Sequence, residues 1–157
     1  NSNASMRIDV PNANDPAGNY AGAILRVDGA GRNLTQYDAL TFWVKASQGI
    51  QPNASGEGGL EFGFGEDFIQ NKYIATIRRV SIGTGWTKII IPIPDASKLT
   101  AEKGLFYYST GPENGRGYTF WIDEAEINIG VAIDIGKART LCLINKDWIC
   151  PRPFSHP

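Results

Sequence analysis

An alternation of apolar and polar residues with a period of two, interrupted by Gly, Pro, Asn and Asp, runs through most of this chain. It constrains the fold more than any other feature, because a two-residue period puts successive side chains on opposite faces of a strand. Eight segments carry it: MRIDV (6–10), YAGAILRV (20–27), YDALTFWVKA (37–46), LEFGFG (60–65), YIATIRRVSI (73–82), WTKIIIPI (86–93), LFYYST (105–110) and GYTFWIDEAEI (117–127). The stretches between them, such as PNANDPAGN, DGAGRN and GPENGRG, are turn chemistry. Only DASKLTAEKG holds the makings of a helical turn, with Asp95 or Ser97 as its cap. The expected class is all-β, a sandwich of two antiparallel sheets.

The same period assigns sides. Leu40, Phe42 and Val44 share one face of their segment, and Thr41, Trp43 and Lys45 share the other. In LEFGFG the apolar set Leu60, Phe62 and Phe64 goes inward, so Glu61, Gly63 and Gly65 look out and leave a shallow trough where another molecule approaches the backbone. In GYTFWIDEAEI the apolar phase slips between Asp123 and Glu124. A β-bulge there explains how Phe120 and Ile122, then Ala125 and Ile127, all face one way.

Composition narrows the partners. Fifteen Lys and Arg balance 16 Asp and Glu, so nothing favours nucleic acid or an acidic membrane surface. No apolar run approaches the roughly 20 residues needed to span a bilayer, and the first residues lack the layout of a signal peptide, so any export signal lies outside this stretch. Both cysteines, Cys142 and Cys150, sit near the C-terminus, and their pairing stays open. Three N-x-[ST] triplets begin at Asn3, Asn33 and Asn53, close to what chance yields in such a chain.

YDALTFWVKA, then GWTKIIIPIPD, then GYTFWIDEAEI, in this order and spacing, resemble the jelly-roll carbohydrate-binding modules with a galactose-binding-domain-like sandwich, as in carbohydrate-binding module families 4, 11 and 22. The likeness covers about residues 5–128. It implies a noncatalytic module that holds a neutral polysaccharide, a β-glucan or a hemicellulose, on its concave sheet. It implies also a secreted or cell-surface bacterial setting, fusion to a glycoside hydrolase or surface protein, and in many members a structural calcium ion. The implied strand order is 1, 8, 3, 6 in one sheet and 2, 7, 4, 5 in the other.

Laid on that order, the outward residues of the second sheet form the candidate glycan site: Tyr20, Phe106 and Tyr108 as platforms for the C–H face of a pyranose, with Arg26, Glu61 and Arg78 as hydrogen-bonding groups for its hydroxyls. Tyr107 replaces its two neighbours as the outward ring if the parity of LFYYST is opposite. Trp43 and Trp121 fall side by side on the other sheet, where a loop or the tail would cover them, and Trp86 reads as a core anchor. A solvated arginine is the ordinary reading of Arg78.

Besides a structural or protein-interaction sandwich without a sugar site, the acidic run at 123–126 admits three readings, the plainest being an acidic, solvated strand end. A hydrolase would use Glu124 and Glu126 as acid and nucleophile or base, and the run is faintly similar to the acidic strand of family 16 glycoside hydrolases. Its D-E-A-E order departs from their pattern, however, and the chain is short for a deep cleft. The single histidine, His156, lies at the extreme C-terminus and supports no other catalytic set. Alternatively, strand pairing brings Asp9 to Asp123 at the bulge as calcium ligands. Residues 1–129 form the expected module and 130–157 an extension, which is an added strand covering Trp43 and Trp121, the start of another domain, or sequence foreign to the natural chain.

Overall fold

The computed structural model describes residues 4–53, 58–65, 75–127, 131–132, 139–144 and 147–148, with backbone alone from residue 126 onward. Its strands are β1 (Met6–Val10), β2 (Ala21–Arg26), β3 (Ala39–Ala46), β4 (Leu60–Phe64), β5 (Ala75–Val80), β6 (Thr87–Pro92), β7 (Gly104–Thr110), β8 (Tyr118–Ile127), β9 (Val131–Ala132), β10 (Arg139–Ile144) and β11 (Asp147–Trp148). One 3-10 turn, Ala96–Lys98, occupies the expected helical stretch. Asp95 sits at its cap position, and Ser97 Oγ donates to Asp95 Oδ1 at 2.5 Å.

Two antiparallel sheets face each other. One has the order β1-β8-β3-β6 with β9 beside β8, and the other β11-β10-β2-β7-β4-β5. The first eight strands thus adopt the jelly-roll order anticipated from the sequence. Between the sheets, the inward sets of alternating residues interlock: Leu40, Phe42 and Val44 from β3, Leu60, Phe62 and Phe64 from β4, and Phe120 and Ile122 from β8 are all 0% exposed. At the centre, the Phe42 ring lies 4.8 Å from Phe62 and 5.1 Å from Phe106, and Phe120 lies 5.4 Å from Tyr108. Each fully buried ring contributes about 1.5–3 kcal/mol by leaving water. A continuous aromatic core ties the sheets together.

Among the described residues, three bulges adjust this regular frame. On β8, Glu124 and Ala125 both stand against Phe42, since Trp43 pairs with Asp123 and Thr41 with Glu126. Glu124 takes a left-handed conformation, φ 46°, and its N–H is held by Asp123 Oδ1 at 2.8 Å. This is the phase slip read from the sequence, and it keeps Ile122 and Ala125 both inside. On β5, Arg78 and Arg79 stand against Glu61, with Arg79 at φ 58°. On β7, Leu105 is the extra residue, because Leu25 pairs with Phe106 and Arg26 with Gly104. A fourth constraint lies in the β2–β3 connection: Gly31 has φ 84°, and any Cβ there would sit 2.6 Å from the Ala101 carbonyl oxygen, so only glycine lets the connection pair with Glu102.

The extension joins the sandwich through backbone pairing: β10 lies antiparallel to β2, with Cys142 opposite Ala23. Strand β10 therefore lengthens the β2-β7-β4-β5 sheet, while β9 pairs with β8 in the sheet that carries Trp43 and Trp121. Cys150 and His156, and the triplet at Asn3, lie outside the described residues.

Candidate functional site

The outward face of the β2-β7-β4-β5 sheet is set by register. Gly22 pairs with Ser109, which pairs with Glu61, and Ile24 pairs with Tyr107, which pairs with Gly63 and then Thr76. Because directly opposed residues share a face, these form two rows across the sheet. Tyr20 and Arg26 lie at the two ends of β2 on the same side.

The first row is polar and pre-oriented. The Tyr20 ring lies over Gly22, where an added Cβ would meet its Cε1 at 2.8 Å, and its hydroxyl donates to Ser109 Oγ at 2.7 Å. The ring stays 42% exposed. Across the row, Glu61 Oε2 is 3.1 Å from Arg78 Nε, and Glu61 Oε1 accepts from the Tyr107 hydroxyl at 3.0 Å. Thr76 Oγ1 completes the chain at 2.7 Å from the same hydroxyl. The bulge at Arg78 and Arg79 explains why both arginines are exposed. It lets Arg78 reach across to Glu61, while Arg79 takes the left-handed conformation. Being largely solvated, the Arg78–Glu61 pair contributes orientation more than stability.

The second row departs from expectation. The Tyr107 ring fills the space above Gly63, where a Cβ would stand 2.0 Å from its Cε1, and both Tyr107 and Ile24 are buried. The trough foreseen over the paired glycines is therefore occupied by the protein's own ring. Phe106 and Tyr108 also need correcting as surface platforms: they are 1% and 4% exposed and belong to the central aromatic cluster. Counting sides from Leu105 fails because that residue sits in the bulge and faces inward along with Phe106. The signal in the sequence is Gly104, which precedes the irregular step. Of the six residues expected at this site, Tyr20, Glu61 and Arg78 come together on one row, and Arg26 lies half-buried at the end of β2.

The expected metal pair does not assemble either. Asp9 pairs with Thr119, four residues along β8 from Asp123 and hence about 13 Å away. Its Oδ1 accepts from Thr119 Oγ1 at 2.6 Å and from Arg7 Nη2 at 3.0 Å, while Asp123 is engaged at its bulge. Among the described residues no group of three or more His, Cys, Asp or Glu converges.

The opposite sheet holds what sequence reasoning placed in the core or under a cover. Trp86 is 41% exposed, and Lys45 Nζ lies 4.7 Å from its ring centre and 5.2 Å from that of Trp121. Trp43, half-buried, pairs with Lys88 on one side and Asp123 on the other.

The fold and this surface define a β-sandwich of jelly-roll order with a hydrogen-bonded row of polar and aromatic side chains on one sheet. No protein-family model, curated protein or solved structure matches the chain.

Proposed function

We propose that this domain is a noncatalytic carbohydrate-binding module and that the first row of the β2-β7-β4-β5 sheet holds a neutral polysaccharide, a β-glucan or hemicellulose. The supporting observation is the fixed exposed ring of Tyr20 in one row with Ser109 and the Glu61–Arg78 pair. Two strand spacings separate Gly22 from Glu61, about 10 Å, which matches a disaccharide. The ring offers an apolar face for C–H groups. Glu61 and Arg78 keep acceptor and donor capacity for hydroxyls, and no large loss of side-chain freedom accompanies binding because the partners already hold one another. An open row leaves much of the ligand wet, so affinity falls on the order of micromolar to millimolar. A setting at a cell surface or outside the cell, fused to a hydrolase or surface protein, follows from this reading.

Affinity electrophoresis against soluble neutral polysaccharides tests it. Retardation by at least one polymer is expected, weakened in both Tyr20→Ala and Glu61→Gln. Retardation by no polymer, or retardation unchanged in both variants, overturns it. Prolonged incubation that releases reducing sugar, abolished by Glu124→Gln, would replace it with the hydrolase reading.

A further inference from the structure

The outward face of the β1-β8-β3-β6 sheet carries three indoles that the sandwich does not need. The inward faces of the same strands already supply the core through Leu40, Phe42, Val44, Phe120 and Ile122. Of the large apolar side chains exposed among the described residues, Trp86 and Ile90 belong to this sheet, at 41% and 58%. Lys45, opposite Trp121 on β8, holds its ammonium between Trp86 and Trp121. Since one nitrogen lies within reach of both rings, their centres are no more than about 10 Å apart. A cation shared by two ring faces orients both indoles before any ligand arrives.

We propose that Trp86, Lys45 and Trp121, with Trp43 beside them, form a second binding surface, an aromatic surface for the ring faces of a neutral, extended polysaccharide chain. The composition of the face decides the ligand class. Lys45, Lys88 and Asp123 alternate with the rings, whereas the centre of a protein–protein interface is depleted of such charges. A polysaccharide matches the alternation, with C–H faces on the indoles and hydroxyls toward the ammonium and carboxylate. The upper bound of about 10 Å on the ring separation leaves room for up to two sugars of an extended chain. Basic and acidic groups are interspersed across the face, which favours a neutral polymer over an anionic one. The ligand class is that of the proposed function, but the residues lie on the opposite sheet, so the two sites fail independently.

The test uses the full chain and its Trp86→Ala, Trp86→Phe and Tyr20→Ala variants. Affinity electrophoresis is run in gels containing a soluble β-glucan, a glucomannan or an anionic pectin, and tryptophan emission is followed as each polymer is added. Trp86→Ala should weaken binding to a neutral polymer about tenfold, the loss of one stacked ring, with Trp86→Phe recovering most of it. Parent emission should shift to the blue with neutral polymer, and Tyr20→Ala should retain the shift. Trp86 is exposed, so the variants should keep the parental melting temperature. Unchanged binding and emission in Trp86→Ala, with binding lost in Tyr20→Ala, overturns this platform and leaves the other face standing; the reverse pattern overturns the other face. Retardation by pectin alone, or a parent dimer that Trp86→Ala dissociates in sedimentation, assigns the face to an anionic ligand or a second copy and refutes the proposal.

Discussion

Gly63→Ala isolates the contact that closes the expected trough. The φ of Gly63 is ordinary, so alanine brings no backbone strain, and in an open trough it would stabilise the strand by about 0.4–1 kcal/mol through the unfolded chain. In the structure the new methyl lands 2.0 Å from Tyr107 Cε1, 2.3 Å from Cζ and 2.6 Å from the hydroxyl oxygen. The ring must leave, and its hydrogen bonds to Glu61 and Thr76 leave with it. Two such bonds are together worth about 1–3 kcal/mol, and moving the buried ring costs more. A net destabilisation of about 2 kcal/mol is expected, a fall in Tm of roughly 4–8 °C for a chain of this size. Urea unfolding should show a lower midpoint with the slope unchanged. In a Tyr107→Ala background the same substitution should cost nothing, so the double-mutant cycle assigns the effect to the pair. Gly22→Ala is the control: its methyl meets the end of the exposed Tyr20 side chain at 2.8 Å, which swings aside with little effect on stability and a weakening of polysaccharide binding. A Gly63→Ala variant at least as stable as the parent, or equally destabilised without Tyr107, refutes the packing argument.

Two further predictions follow from the frame. Burial pushes the Tyr118 phenol up to about 12 from 10.0, against the lowering effect of its hydrogen bond with Thr110 and together with the nearby Glu113 carboxylate. The folded state therefore keeps the proton that the unfolded chain releases. Stability is independent of this group below pH 10, falls as pH rises from 10 to 12 by up to about 2–3 kcal/mol, and levels off above; urea midpoints across that range should lose this slope in Tyr118→Phe. At the β8 bulge, Glu124→Gly should be neutral or slightly stabilising, because glycine accepts φ 46°, while Glu124→Val should cost about 1–2 kcal/mol; thermal denaturation with equal losses in both would place the strain elsewhere.

Much of the architecture was legible because strand periodicity is local. Leu60, Phe62 and Phe64 had to share a face whatever their partners, and the broken phase of WIDEAEI announced its own bulge at Asp123 and Glu124. The strand order came through resemblance and agrees with the observed sheets. Errors arose where a neighbouring strand changed the count. Phe106 and Tyr108 turned inward because Leu105 is an extra residue relative to β2, and one such residue reverses every side chain beyond it. Asp9 and Asp123 share paired strands yet lie apart, since pairing alone does not specify register.

The amino-acid order of this protein therefore determined which stretches become strands and which side of each is oily, since these depend on backbone alternation within a few residues. Only the assembled sheets decided that Tyr107 caps Gly63, that Tyr20 rests on Gly22, and that Lys45 lies between Trp86 and Trp121. Those contacts join residues distant in the chain, and their existence depends on register and bulges, which no single strand encodes.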